Sequence, residues 1–158
     1  MLFKYSLTER VKTFKVICWG ILEIDKKIVL VQEGKRDYFY GKWGFPIAGV
    51  RVNENMTEAV VRGVKEDINL RTEVESLVGV YNWYHQELGI GYIYYAFALK
   101  YLGGKLKPNH KEILNVGLFS YQEIFKMHSD SLTHKDFKSV IKRYRRQITY
   151  PLDVLQEI

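Results

Sequence analysis

AGVRVNENMTEAVVRGVKEDINL, residues 48–70, is the stretch that decides how this chain is read. Within it Met56, Val60, Val64 and Ile68 recur every four residues, which lays them along one stripe of a helix. Asn55 stands where an N-cap belongs, and Glu58 three residues on completes an Asn-x-x-Glu capping box. Asn69 is one of the few non-glycine residues that accepts the left-handed conformation ending a helix. The predicted helix therefore runs from Asn55 to Asn69, entered by a loop from Ala48 and carrying Glu54, Glu58, Arg62, Glu66 and Asp67 on it or beside it. Adjacent carboxylates repel, so Glu66 next to Asp67 is easiest to rationalise if a cation sits between them.

On either side the chain reads as strands. Residues 13–24 are rich in β-branched and aromatic types, and Asp25-Lys26-Lys27 separates them from the apolar run Ile28–Val31, which predicts a hairpin. Residues 33–49 mix charge, glycine and aromatics without a period, which predicts a loop with a short strand inside it. After the helix, Thr72–Tyr84 and Gly91–Leu102 read as a long antiparallel ribbon closed by Gly103-Gly104. A strand at Ile113–Phe119, a helix at Tyr121–Met127 and an amphipathic helix at Lys135–Gln147 follow. Strands, helix, strands, helix argue for an α/β (α+β) fold, a layered α/β/α sandwich with a mixed β-sheet, in one domain over residues 1–158.

Composition bounds the rest. Cys18 is the one cysteine among 158 residues, which excludes an internal disulfide and a cysteine-based zinc cluster. No run of 18 apolar residues exists and residues 1–12 lack the apolar core of a secretory leader, so the expected location is cytoplasmic, with no membrane partner. Much of the net charge of +6 sits in Lys135, Lys138, Lys142, Arg143, Arg145 and Arg146. A solvated helix face is the favoured reading of this run. No recognised nucleic-acid motif accompanies it, so an RNA-binding module is the outlying hypothesis.

The helix and its loop resemble the signature of the Nudix hydrolases. That pattern runs Gly, five residues, Glu, seven residues, Arg-Glu, an aliphatic, any residue, Glu-Glu, any residue, Gly, an aliphatic. Glu54, Arg62, Val64, Glu66 and Leu70 fall on matching positions, and Asp67 replaces the second paired glutamate. Ala48 stands for the first glycine, Gly63 for the glutamate after arginine, and Asn69 for the last glycine. Val29–Glu33, Gly41–Pro46, Lys111–Leu114, Leu118–Ser120 and Glu123-Ile124 are similar to flanking stretches of the family, so the resemblance covers roughly residues 14–127.

The resemblance implies a hydrolase that cleaves the diphosphate of a nucleoside-diphosphate derivative with Mg²⁺ or Mn²⁺. It makes Glu66 and Asp67 metal ligands and catalytic residues, with Glu54 and Arg62 as the supporting ion pair. Glu112 is the candidate third carboxylate, against the equal reading of a solvated loop residue, and Glu87 is a lesser one. Trp43 and Tyr40 are the named substrate-binding rings, with Tyr38, Phe39, Trp83, Tyr84 and His85 also able to stack a base, although core packing suits most of them better. Arg51, Lys35 and Arg36 are candidates for phosphate, and His110, His128 and His134 receive no role.

Gly63 removes a carboxylate and places in a helix a residue that costs roughly 1 kcal/mol relative to alanine. The alternative is therefore a silent Nudix domain that binds a nucleotide as a sensor or partner module, and Gly63→Glu is expected to raise any activity. The expected partner is a small molecule, with a homodimer left open.

Overall fold

A computed structural model of the protein describes residues 13–156; residues 1–12, read above as carrying no leader, and 157–158 lie outside the described residues. Strand β1 (Thr13–Ile24) turns through Asp25 and Lys26, at φ 50° and 61°, into β2 (Lys27–Glu33). Two positive φ values in succession suit the twist of a tight hairpin. The irregular segment holds a short 3₁₀ turn at Asp37–Phe39 and two short strands, β3 (Trp43–Gly44) and β4 (Ile47–Gly49), where one was expected. Helix α1 covers Met56–Ile68. Strands β5 (Arg71–His85) and β6 (Ile90–Gly103) form the predicted ribbon, and β7 (Ile113–Phe119), α2 (Tyr121–Lys126) and α3 (Phe137–Arg145) complete the chain.

The sheet order is β3-β2-β1-β6-β5, with β4 on β1 and β7 on β2. β1 and β6 run parallel from Thr13 opposite Ile90 to Leu22 opposite Leu99, while the other pairings are antiparallel, so the sheet is mixed as expected. Its two faces carry separate cores. One gathers Leu22, Val29, Val60, Val64, Ile68 and Phe97 beneath α1. The other gathers Trp19, Ile21, Phe45, Phe137, Val140 and Ile141 beneath α3, which gives the three layers. No described helix is long and apolar enough to cross a membrane.

Both ends of α1 follow the sequence signals. The Asn55 side chain accepts from the Glu58 N–H, the Glu58 carboxylate accepts from the Asn55 N–H, and Asn69 sits at φ 61°. Glu58 is thus spent on the cap. The buried face is broader than the apolar stripe, because Gly63 and Asp67 are buried on it as well. This extra flank is what turns the helix toward β4 and shapes the site.

The basic C-terminal helix is largely occupied with its own fold. Lys138 Nζ donates to the Phe125 and Met127 carbonyls at 3.0 and 2.6 Å, closing the end of α2. Arg143 Nε donates to the Val78 carbonyl at 2.8 Å, and the Arg145 guanidinium lies 4.9 Å from the Tyr121 ring centre. These contacts make Lys138, Arg143 and Arg145 part of the fold, where a solvated helix face was expected of the run.

Candidate active site

The loop ahead of α1 is held by one guanidinium. Arg62 Nε and Nη2 donate to the two carboxylate oxygens of Glu54 at 2.6 and 2.9 Å, a fork that fixes both groups in one plane. Nη2 also donates to the Gly49 carbonyl at 2.8 Å, tying β4 to the helix. The Arg51 N–H donates to Glu54 at 2.9 Å. The guanidinium beside it holds the Glu54 carboxyl down at about 2, and Glu54 in turn raises Arg62. Glu54 and Arg62 thus form an ion pair between the loop and the helix.

Beyond this clamp lies a cleft of about 280 Å³, lined among others by Glu33, Arg51, Arg62, Glu66, Asp67 and Glu112. Glu66 and Asp67 reach it because they follow Arg62 on the last turns of α1. Glu112 reaches it by tertiary tethering: the Asn109 N–H donates to the Asp67 carbonyl at 2.7 Å, and the Gly34 N–H donates to the Glu112 carbonyl at 2.9 Å. The loop is thereby pinned between the end of α1 and the end of β2.

The carboxylates differ in state. Asp67 is 9% exposed, and burial, with Glu112 and Glu33 as like charges nearby, pushes its carboxyl up to about 7. Glu66 is half exposed and accepts from Arg51 Nη2 at 3.1 Å and Arg62 Nη1 at 3.0 Å. Glu112 pairs with Lys35. Among the described residues no three acidic, His or Cys groups stand close enough to cage a metal as they are. Arg51 and Lys35, both more than half exposed on flexible stems, pair with Glu66 and Glu112. The donor set nevertheless suits Mg²⁺, which takes oxygen ligands from one or two carboxylates and keeps several waters.

Gly63 has a steric reason. A Cβ built on it would stand 2.8 Å from the Ile47 carbonyl oxygen and closer still to the Ala48 methyl, so α1 can lie on β4 only because position 63 has no side chain. Restoring a glutamate there requires β4 or α1 to shift, so any gain of activity expected from Gly63→Glu depends on that movement.

Two proposed substrate contacts are placed elsewhere. Trp43 packs edge-on against Phe119 and bridges to Leu132, and Tyr40, 60% exposed, lines neither this cleft nor the larger cavity beside it. Trp43 is consumed because β3 pairs with β2 and turns its ring onto β7. Tyr38, Trp83, Tyr84, His85 and Glu87 line the larger cavity instead. Lys35 and Arg36 do line the cleft.

Glu33 and His134 had no assigned role. Glu33 closes β2 at the cleft and accepts from the backbone N–H groups of Lys35 and Arg36 at 3.0 and 3.3 Å. Its signal was positional, a lone acid ending an apolar strand. His134 contacts Tyr94 Oη and Thr133 Oγ1 at 3.1 Å each and stands in the wall between the two cavities. Burial, with Arg36 and Lys42 nearby, lowers its imidazole to about 4 and keeps it neutral. No local spacing announces this residue.

Known proteins are similar to this chain in sequence and fold. A family model for the NUDIX domain matches residues 12–141. The ADP-ribose pyrophosphatase of Methanocaldococcus jannaschii is 32% identical over 127 residues, covering 80% of this chain and 70% of that protein. The human 8-oxo-dGDP phosphatase NUDT18 is 26% identical over 156 residues, 94% of this chain, which spans only 46% of that longer protein. Among solved structures, a NUDIX hydrolase from Nitrosomonas europaea superposes with a TM-score of 0.81 at 25% identity, covering 91% of this chain and 97% of that one. A MutT protein from Methanosarcina mazei gives 0.75 at 20% identity over 89% of this chain and 97% of that one, a likeness of fold. With the signature helix, the Arg62–Glu54 clamp and the acidic cleft all in place, the chain belongs to the Nudix hydrolase family.

Proposed function

We propose that the protein hydrolyses the diphosphate bond of a nucleoside-diphosphate derivative, with Mg²⁺ or Mn²⁺ held by Glu66, Asp67 and Glu112. The observation that carries this reading is the convergence of those three carboxylates, from two separate segments, in one cleft with Arg51 and Lys35. A bound divalent cation would neutralise diphosphate oxygens and lower the pKa of an attacking water. Arg51 and Lys35 exchange their carboxylate partners for phosphate oxygens when substrate enters. Arg62 keeps Glu66 oriented through its 3.0 Å hydrogen bond while its other nitrogens hold Glu54. Asp67, buried at the cleft wall, is the group that gains most from a cation, because its charge is otherwise disfavoured by burial and by Glu112.

The close contact of Ala48 with Gly63 favours a second reading, a domain that binds such a ligand without cleaving it. A product-release assay over ADP-ribose, nucleotide sugars, dinucleotides and nucleoside di- and triphosphates, with Mg²⁺ and with Mn²⁺, separates the two. Hydrolysis of at least one compound, abolished by chelator and by Glu66→Gln, is expected. Metal-independent binding with no turnover across the panel establishes the silent domain instead. A rate untouched by Glu66→Gln moves the metal site elsewhere.

A further inference from the structure

Between β2 and β3 the chain makes a compact loop, residues 34–40, closed at a narrow neck. The Glu33 N–H donates to the Lys42 carbonyl at 2.9 Å, the Gly41 N–H donates to the Glu33 carbonyl at 2.8 Å, and Gln32 Nε2 donates to the Gly41 carbonyl at 2.9 Å. The Phe39 N–H donates to the Arg36 carbonyl at 3.0 Å, which folds the far side of the loop on itself. The near side is held differently. The Gly34 N–H donates to the Glu112 carbonyl at 2.9 Å, and the Lys35 and Arg36 N–H groups converge on Oε1 of Glu33 at 3.0 and 3.3 Å. The Glu33 side chain is 12% exposed, lines the acidic cleft and sets a like charge near Asp67. A half-hidden acid among other acids is a costly way to hold a loop. What it fixes here are the two residues of the loop that bring positive charge to the cleft. Arg36 stands where its charge reaches Asp67, Tyr94 and His134 together.

Resting on the diphosphate reading of this cleft, we propose that Glu33 is a positioning residue: by binding the Lys35 and Arg36 N–H groups, its carboxylate aims the Arg36 guanidinium at a phosphate of the substrate. A carboxylate is an acceptor on both oxygens and binds N–H groups more strongly than a neutral oxygen does, so it can hold two donors at once. The role has a sign that a bystander acid lacks. Taking a negative charge out of an anion site ordinarily strengthens anion binding, because like-charge repulsion is relieved. Taking this one out frees the loop tip, and the guanidinium must then be ordered by the ligand at a cost in entropy.

Calorimetric binding of magnesium pyrophosphate, together with amide hydrogen exchange of the unliganded protein, tests this. Glu33→Ala is expected to weaken pyrophosphate about tenfold and to speed exchange at Lys35 and Arg36 by about the same factor. Glu33→Gln keeps an acceptor oxygen and loses the charge, so it is expected to bind within about threefold of the unaltered protein. Arg36→Ala is expected to weaken binding about tenfold, and adding Glu33→Ala to it should change the affinity by less than about twofold, because the aimed group is gone. The neck bonds use the Glu33 backbone and not its side chain, so these variants keep the fold. Pyrophosphate bound by Glu33→Ala as tightly as by the unaltered protein, or more tightly, overturns the assignment. So do effects of Glu33→Ala and Arg36→Ala that multiply, and a Glu33→Gln as damaging as Glu33→Ala, which would make Glu33 a metal ligand. No pyrophosphate binding by the unaltered protein overturns the diphosphate reading and this assignment with it, which keeps the two failures apart.

Discussion

The Cβ of Ala48 on β4 lies 2.6 Å from where a Cβ on Gly63 of α1 would stand, so the two positions share a space that holds one methyl group and not two. The family pattern has glycine at the first position and a side chain at the second; this chain carries the reverse. The two departures are thus one packing choice between a strand and a helix.

This coupling reverses an ordinary rule. Alanine in place of a helical glycine usually stabilises by about 1 kcal/mol, but overpacking costs about 1–3 kcal/mol, so Gly63→Ala is expected to destabilise. Placing it on an Ala48→Gly background recovers part of the loss, the Ile47 carbonyl keeping the rest. Urea unfolding of the four proteins reads the coupling; additive effects would show that the helix simply moves away. By the same argument, Gly63→Glu raises hydrolysis only together with Ala48→Gly.

Arg62 joins β4, the loop at Glu54 and Glu66 through one planar group. Lysine has no second donor plane to reproduce the fork, so Arg62→Lys is expected to lower stability nearly as far as Arg62→Ala, by about 2 kcal/mol. Turnover should fall in both, because Glu66 loses its orienting partner. Thermal unfolding that leaves Arg62→Lys level with the unaltered protein would reduce the clamp to simple charge pairing.

Glu112 lies in a surface loop and is half exposed in its ion pair with Lys35. Glu112→Gln should therefore leave the melting temperature within about 0.5 kcal/mol equivalent of the original. The Mg²⁺ concentration for half-maximal activity should rise about tenfold. An unchanged metal requirement would return Glu112 to the role of a solvated residue.

His134 links stability to pH. The unfolded chain protonates this imidazole near 6.5, whereas the folded chain resists until about 4. Its contribution is complete above pH 6.5 and is lost as pH falls from there to about 4. The loss is at most about 3 kcal/mol. Asp67, raised to about 7, works in the opposite direction over the same window, so the unaltered protein should be nearly level there and His134→Gln should lose stability as pH rises from about 4 to 6.5; Glu54, held at about 2, acts only below its unfolded value of 4.5. An equal slope in both proteins would place the acid sensitivity elsewhere.

The basic residues of α3 should behave as fold contacts. Lys138→Met frees two carbonyls at the end of α2, and Arg143→Ala frees that of Val78. Each is expected to cost about 1–2 kcal/mol in denaturant unfolding. Steeply salt-dependent binding of RNA by the unaltered protein, lost in these variants, would restore the nucleic-acid hypothesis.

The sequence by itself determined the elements whose signals are local. Asn55, Glu58 and Asn69 marked both ends of α1 and Asp25-Lys26 marked the hairpin, because caps and turns depend on residues a few positions apart, while the Glu54–Arg62 clamp was legible only through the family resemblance. Only the tertiary structure decided what position 63 excludes, that Glu112 meets Asp67, that Trp43 is spent on Phe119, and that His134 divides two cavities. Those relations join residues far apart in the chain, and close packing between a helix, a strand and a loop leaves no periodic trace in any one of them.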